Sequence, residues 1–149
     1  MLYFSSLLQS PTYKPVADRL FAALYSAGVK CQLIDGARDI WLRDFIPIET
    51  RGGRLVSFRY EPSYLAKYPK LRTDFRRDIA SGLGLSVMYS DINLDGGNVV
   101  FSPSKETAIV SDRIQSENPD IPRDMLLETL EQLLEARVLL IPSLKSDLT

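Results

Sequence analysis

The amino-acid sequence predicts an α/β fold assembled from repeated helix–strand units. Segments with the apolar spacing of helices alternate along the chain with segments that have the pattern of strands. Asp44, Asp95 and Asp147 occupy similar places in these units, 51 and 52 residues apart. The 149 residues are 45% hydrophobic and 25% charged, which is the composition of one globular domain with a real core.

The first unit is predicted to begin with a strand at 2–8. Pro15 is placed in the first turn of a helix that runs to Ala27, and Gly28 is placed to end it. The apolar residues predicted to share one face of this helix are Val16, Leu20, Ala23, Leu24 and Ala27. A second strand is expected at 29–34, where apolar residues alternate.

The segment ARDIWLRDFIPIE, residues 37–49, is predicted to be extended, which places Asp44 on an otherwise aliphatic face. A buried carboxylate without a partner is very unfavourable. One interpretation pairs Asp44 with Arg43 or Arg38, or lets it cap a turn, while Trp41 belongs to the core. The other gives Asp44 a planar cation, because a guanidinium matches a carboxylate through two hydrogen bonds. Trp41 would then supply a wall.

The following residues predict a hairpin closed by RGG at 51–53, with Pro47 marking its first strand as an edge. The later elements are predicted to be a helix at 71–81, strands at 85–90, 98–102 and 107–111, a loop at 112–122, a helix at 123–135 and a strand at 137–142. The apolar stripe of the last helix consists of Met125, Leu126, Leu130, Leu133 and Leu134.

The segment NLDGGNVVF contains two glycines that allow positive φ or a close approach of the backbone. One interpretation is a turn in which Asp95 and Asn98 bond their own backbone. The other makes Asp95 a second functional carboxylate, held at the same edge of the fold as Asp44.

The sequence contains no histidine, so it lacks the usual proton shuttle at neutral pH and the commonest metal ligand. Cys31 is the only cysteine, which excludes an internal disulfide. Its alternating neighbours predict a buried, inert thiol rather than a nucleophile. We expect neither a metal nor a cofactor.

The net charge is −1, and basic residues are scattered along the chain. The one cluster, residues 70–77, is interrupted by Asp74 and followed by Asp78, which indicates a solvated helix face rather than a nucleic-acid surface. No apolar run reaches membrane-spanning length, and the N-terminus lacks the features of a signal peptide. We therefore expect a cytoplasmic protein without nucleic-acid or membrane partners.

Two segments together, DIWLRDFIP at 39–47 and LDGGN at 94–98, resemble the agmatine deiminase and bacterial-type peptidylarginine deiminase family. This family has a D-x-W-x-R-D-x-x-P segment and, one module later, an acidic residue followed by two glycines. The resemblance implies the pentein fold, an αβ-propeller of five modules around a pseudo-fivefold axis. The chain 1–149 would form the N-terminal part of one such domain. Its modules would be approximately 1–62, 63–120 and the incomplete 121–149.

The resemblance also implies roles for individual residues. Asp44 matches the carboxylate that grips the substrate guanidinium, and Asp95 matches the acidic residue that supports the catalytic histidine. Asp39 and Trp41 match residues near the substrate pocket. Arg43 is expected to be a local ion-pair partner.

In the family mechanism, a cysteine attacks the guanidinium carbon and ammonia leaves with proton help from histidine. Water then releases the ureido product. This chain has no histidine and no matching cysteine, although SDLT at 146–149 resembles the residues before the family's Gly-His-x-Asp segment. Ile46 stands where agmatine deiminases usually have glycine.

The expected function is therefore that of a fragment of a guanidine deiminase, a hydrolase acting on agmatine or peptidyl-arginine and so linked to putrescine biosynthesis. The chain alone is expected to be inactive. Its expected partner is a small guanidinium compound, and exposed module edges favour self-association. The alternative is a non-catalytic binding module of the pentein type.

Overall fold

The computed structural model describes residues 1–144, in which strands and helices alternate. The strands are β1 (Leu2–Ser5), β2 (Cys31–Ile34), β3 (Ile48–Glu49), β4 (Leu55–Arg59), β5 (Val87–Asn93), β6 (Val99–Phe101), β7 (Thr107–Ser111) and β8 (Arg137–Ile141). The α-helices are α1 (Lys14–Ser26), α2 (Leu42–Phe45), α3 (Arg113–Glu117) and α4 (Arg123–Leu134). The fold is therefore mixed α/β, with short sheets. Asp147 and the segment 146–149 lie outside the described residues.

Residues 1–144 form three small sheets, and the two larger ones share one topology. In the sheet β3-β4-β5, an antiparallel hairpin is followed by a crossover to a parallel third strand. The sheet β6-β7-β8 repeats this arrangement, with α4 in the crossover. The first sheet contains only the parallel pair β1-β2. The two matching sheets support the repeat inferred from the aspartate spacing, whereas the number and the boundaries of the modules stay predictions.

The larger apolar core lies between the third sheet, β4 and α4. It consists of Ile48, Val56, Phe58, Ile92, Leu94, Val99, Ala108, Val110, Ile114, Leu126, Leu130, Leu134 and Ala136. Three leucines of α4 are spaced four residues apart, which brings them to one face of the helix. Each is at most 1% exposed, and burying such a side chain contributes roughly 1.5–3 kcal/mol. Met125 is wrongly included in the predicted stripe, because it lies off this face and is 60% exposed.

The helix predicted at 71–81 is broken into short turns. A 3₁₀ turn at Pro69–Leu71 precedes a five-residue π-helical turn at Phe75–Ile79, and a second 3₁₀ turn follows at Ala80–Gly82. Phe75 and Ile79 are both buried in a second, smaller core. Packing of these two side chains, together with side-chain bonds to residues 74 and 78, holds the segment in this irregular form.

The N-terminal unit is more exposed than its pattern predicts. Gly28, with φ +68°, ends α1 as expected. Of α1, however, only Ala17 is buried, and the predicted apolar stripe is largely exposed. Cys31 is exposed as well, so the prediction of a buried thiol is wrong. The first sheet has only two strands, so it offers a small face for other elements to pack against.

Within residues 1–144, no helix has both the length and the apolar character needed to span a membrane.

The hairpin β3-β4 is confirmed, and its two-residue first strand lies at the edge of its sheet, directly after Pro47. A residue outside the hairpin holds its turn. Glu135, in the left-handed conformation after α4, accepts hydrogen bonds from Thr50 Oγ1 at 2.6 Å and from the Gly52 N–H at 2.7 Å.

The core position of α4 is tested by comparing Leu130→Ala with Met125→Ala. We expect Leu130→Ala to lower the free energy of unfolding by about 2–5 kcal/mol, because it leaves a cavity at a fully buried site. Met125→Ala should change it by less than about 0.5 kcal/mol, since that side chain is largely in water. Urea unfolding followed by circular dichroism measures both. Equal effects would contradict the orientation of α4.

Candidate functional site

The segment that carries Asp44 is a single helical turn, not the extended strand that the sequence predicts. Leu42 and Phe45, three residues apart, share one face of α2 and are 5% and 2% exposed. They pack in the smaller core with Tyr60 and Phe75, among others. A helical turn buries both Leu42 and Phe45, whereas an extended strand would place these two side chains on opposite faces. Asp44 therefore lies beside the buried face, half-buried, and not in the middle of it.

The residues before α2 are held by the irregular segment around Asp78. Arg38 Nε lies 3.2 Å from Asp78 Oδ2, and the Arg38 N–H donates to Thr73 Oγ1 at 3.0 Å. The pKa of Asp78 is lowered to about 2, chiefly by the hydrogen bond from Arg77. Burial opposes this shift, and the bonds from the Asp74 N–H and from Arg38 contribute to it. Arg38 is thus committed to Asp78 and is not the partner of Asp44.

Arg43 connects the two sequence motifs. Its Nη2 donates to the carbonyl oxygen of Val99, the first residue of β6, at 2.8 Å. Arg43 forms no ion pair within residues 1–144. The expectation that it is a local ion-pair partner is therefore wrong, because its guanidinium is used to fasten α2 to the next sheet.

Gly96 and Gly97 allow α2 to approach the turn that precedes β6. A Cβ atom on Gly96 would lie 2.2 Å from the carbonyl oxygen of Arg43, and one on Gly97 would lie 2.2 Å from Asp44 Oδ1. Neither glycine has a positive φ. Of the two reasons that the sequence offered for these glycines, close approach is the one that applies. The two motifs are in direct contact.

Asp44 is an unpaired carboxylate within residues 1–144. Burial raises its pKa above the usual value, and the negative charges of Asp95 and Asp39 raise it further. A hydrogen bond from the Gly97 N–H and the charge of Arg43 oppose this rise. The interpretation that pairs Asp44 with Arg38 or Arg43 is wrong, since neither residue forms an ion pair with it.

Asp95 does have a cationic partner. Arg113 Nη2 donates to Asp95 Oδ2 at 2.5 Å, and each side chain is only 13% exposed. The Arg113 guanidinium also lies over the ring of Tyr64, 5.3 Å from its centre. Asp95 makes no side-chain bond to its own turn, and Asn98 instead accepts from the Ser111 N–H at 2.9 Å. The interpretation of Asp95 and Asn98 as a self-bonded turn is therefore wrong.

Two tyrosines adjoin these carboxylates. The hydroxyls of Tyr60 and Tyr64 lie 3.3 Å apart and share a hydrogen bond. Burial raises the pKa of both phenols, and the negative charges of Asp44 and Asp95 add to the effect. Both tyrosines therefore remain neutral at neutral pH. Both tyrosines are therefore near enough to Asp44 and Asp95 for the two negative charges to affect their pKa values.

A buried amide network holds the loop that carries Tyr64. Asn93 Oδ1 accepts from the Glu61 N–H at 2.8 Å, and its Nδ2 donates to the Glu61 carbonyl at 2.9 Å. Asn118 bonds the backbone of Asn93 through both ends of its amide. Glu117 accepts from the backbone and the hydroxyl of Ser63, next to Tyr64. Asn93 and Asn118 are almost fully buried, so the network is protected from competing water.

Sequence reasoning missed Arg113, Tyr60 and Tyr64. Arg113 lies in what the sequence predicts as a loop, whereas residues 113–117 form α3. No feature of the sequence distinguishes it among the 18 lysines and arginines. Both tyrosines lie in the segment after β4, for which the sequence predicts no functional role.

The other two predicted site residues lie on the same segment as Asp44. Asp39 Oδ1 accepts from the Ile40 N–H at 2.6 Å, and its charge reaches Asp44. Trp41 is 64% exposed, so the interpretation of Trp41 as a core residue is wrong. The cavity that Asp44 borders has no room for a water molecule. Asp39, Trp41 and Asp44 are all at least partly exposed and are called the carboxylate wall below.

The chemistry available at this wall is cation binding. Asp44 is a carboxylate without an ion pair within residues 1–144. Trp41, three residues before it, is an exposed aromatic ring. Asp95, in contrast, is paired with Arg113. Residues 1–144 contain no group of three or more potential ligands placed to hold a metal ion. They also offer no histidine for proton transfer.

Comparison with known proteins gives a likeness of structure and none of sequence. Neither the models of known protein families nor the curated protein sequences match this chain. Agmatine deiminase of C. jejuni matches with a TM-score of 0.61 and 16% identity, over 94% of this chain and 51% of that one. A cysteine-to-serine variant of the same enzyme, with substrate bound, matches with a TM-score of 0.57 and 12% identity, over 94% and 52%.

A third solved structure, assigned as a peptidyl-arginine deiminase, matches with a TM-score of 0.60 and 16% identity, over 94% of this chain and 53% of that chain. The chain thus spans about half the length of these structures. The resemblance to agmatine and peptidyl-arginine deiminases that the two motifs predict is confirmed in the fold, and this chain has the architecture of part of such a deiminase.

The unpaired state of Asp44 is tested by its effect on stability. We expect Asp44→Asn to raise the free energy of unfolding at pH 7 by up to about 1 kcal/mol, because it removes a half-buried charge that faces other carboxylates. A raised native pKa means that the native state binds protons more readily than the unfolded chain. The unmodified protein should therefore lose stability relative to Asp44→Asn as pH rises through that pKa.

Urea unfolding between pH 4 and 7 measures this difference. The two proteins should be most similar at the acidic end, where Asp44 is protonated, and should diverge toward pH 7. Asp120→Asn removes an exposed carboxylate and serves as the control. A loss of stability in Asp44→Asn at pH 7 would show that Asp44 has a stabilising partner.

Proposed function

We propose that this chain provides the guanidinium-binding carboxylate wall of a deiminase that converts agmatine or peptidyl-arginine to the ureido product and ammonia. The single observation that carries the proposal is Asp44, a half-buried carboxylate without an ion pair in residues 1–144. The fold likeness to deiminases, one of them with substrate bound, supports the same proposal.

A guanidinium suits Asp44 for physical reasons. Its planar fork of N–H donors can bond both carboxylate oxygens, and each charge-assisted hydrogen bond contributes about 1.5–3 kcal/mol. Binding would also remove the cost of an uncompensated charge next to Asp95 and Asp39. Trp41 would add an aromatic face to the cation, at about 0.5–1 kcal/mol for an exposed ring. We propose Asp39, Trp41 and Asp44 as the substrate-binding residues.

Asp95 is proposed as the second catalytic carboxylate, alongside Asp44. In the family that the motifs resemble, this position supports the catalytic histidine, and in this chain Arg113 bonds it. The ion pair gives Asp95 a cationic partner, which Asp44 lacks within residues 1–144. It therefore leaves Asp44, of the two carboxylates, as the one that attracts a cation. The Arg113 guanidinium lies over the ring of Tyr64, whose hydroxyl shares a hydrogen bond with that of Tyr60.

The chain alone is proposed to bind without turnover. A deiminase needs a nucleophile and a proton donor, and this sequence has no histidine. Its only thiol, Cys31, is exposed on β2 and has no histidine to activate it. These absences also favour the second candidate, a binding module of the same fold without catalysis. The two candidates share the cation site and differ in whether ammonia is ever released.

Isothermal titration calorimetry of the 149-residue chain with agmatine and arginine tests the shared site. We expect binding of both guanidinium compounds and at least a tenfold loss of affinity in Asp44→Asn, which is about 1.4 kcal/mol. Asp120→Asn is the matched control and should bind like the unmodified protein. 1,4-Diaminobutane, which carries amines and no guanidinium, should bind more weakly.

Equal affinities of the unmodified protein and Asp44→Asn would remove Asp44 from the site. An ammonia assay with the same samples tests the absence of turnover. No release is expected from the chain alone, and release above the buffer rate would contradict the proposal. RNA titrated in the same buffer should give no heat of binding, and strong RNA binding would favour the non-catalytic module.

A further inference from the structure

A cavity of about 530 Å³ lies between the irregular segment 69–77 and the ends of β4 and β5. Asp44, Asp95 and Arg113 do not line it, although Tyr60 borders both regions. Its volume falls in the range of small-molecule sites in proteins. The cavity is lined by five arginines, namely Arg38, Arg59, Arg72, Arg76 and Arg77.

Two of these arginines are already neutralised. Arg38 and Arg77 both bond the carboxylate of Asp78, at 3.2 Å and 2.8 Å. Arg59 has only a loose neighbour, because its Nη1 lies 3.8 Å from Glu61 Oε2 and both side chains are about half exposed.

Arg76 has an aromatic neighbour instead of a carboxylate. Its Cζ lies 4.8 Å from the centre of the Tyr89 ring, and no ion pair of Arg76 occurs in residues 1–144. A cation over an aromatic face keeps its charge and most of its donors. Arg76 can therefore still bind an anion at the mouth of the cavity.

Arg72 is the least satisfied of the five. Its Nε atom is buried and has no hydrogen-bond partner, and its guanidinium forms no ion pair with any residue of 1–144. A buried donor without a partner costs about 1–3 kcal/mol, and more when it is charged. Native proteins rarely contain such a group without a reason, and a bound anion is one.

Three carboxylates also line the cavity, and they leave Arg72 and Arg76 without partners. Glu61 is beside Arg59, and Asp74 accepts from the Arg77 N–H at 3.2 Å. Asp91 is exposed to solvent. None of them lies within ion-pair distance of Arg72 or Arg76.

We propose that this cavity binds a small polyanion, with a phosphate or carboxylate group paired to Arg72 between Arg59 and Arg76. The guanidinium fork matches the oxygens of either group bidentately, so both share the same recognition chemistry. Three under-neutralised arginines around one space suit a ligand with more than one negative group. The site is independent of Asp44, which attracts cations.

Calorimetry with pyrophosphate and with citrate at low ionic strength tests the proposal, since salt screens exposed charges. We expect at least one of the two anions to bind with a Kd below about 1 mM, and the tighter one identifies the group recognised. Arg72→Gln should weaken that binding at least tenfold. Arg19→Gln removes the same charge from the exposed surface of α1 and should leave the affinity unchanged.

Thermal unfolding separates loss of the site from loss of the fold. Without ligand, Arg72→Gln should unfold no earlier than the unmodified protein, because Arg72 has no side-chain bond to lose. The binding anion should raise the Tm of the unmodified protein and not that of Arg72→Gln. If Arg72→Gln fails to fold, the exposed Arg76→Gln decides in its place, with the same expected loss of affinity. The proposal is overturned if neither anion binds, or if Arg19→Gln weakens binding as much as the cavity variants do.

Discussion

The contact between α2 and the Gly96–Gly97 turn is the constraint on which the site depends. Any side chain at either glycine would overlap the backbone of Arg43 or the carboxylate of Asp44. This contact brings motifs about 50 residues apart in sequence into one place, and Arg43 secures it by bonding Val99. The same contact places Asp44 within hydrogen-bonding distance of the Gly97 N–H and near the charge of Asp95. A larger residue at position 97 would therefore move the carboxylate and not merely loosen the fold.

The surroundings of Asp44 are arranged to tolerate its charge but not to neutralise it. Arg113 is used on Asp95, Arg38 on Asp78 and Arg43 on a carbonyl oxygen. Each of these three guanidiniums thus has another partner, and Asp44 has no ion pair within residues 1–144. Proteins keep such unfavourable groups mainly at functional sites, where a ligand completes the interaction. The partial exposure of Asp44 is consistent with a cation that arrives from solvent.

The sequence was informative where structure is decided locally. The repeat is predicted from the order of its elements and the spacing of the aspartates, the hairpin from its RGG turn and α4 from its apolar periodicity. The two motifs indicate the right fold. The predicted extended conformation around Asp44 is wrong. A strand and a helical turn would both bury Leu42, and only the tertiary packing of Phe45 decides between the two conformations. Arg113 could not be predicted as the partner of Asp95, since the pairing depends on how α3 is placed by the buried Asn118 network.

Asp44 is proposed to bind a guanidinium, and a titration of the Asp44 carboxyl group tests this most directly. Carbon-13 NMR of the aspartate side-chain carboxyls, assigned by the loss of one signal in Asp44→Asn, follows its protonation. We expect the pKa of Asp44 to lie above the usual value of about 3.9 in the free protein and to fall when agmatine saturates the site. An ordinary pKa that agmatine leaves unchanged would contradict it.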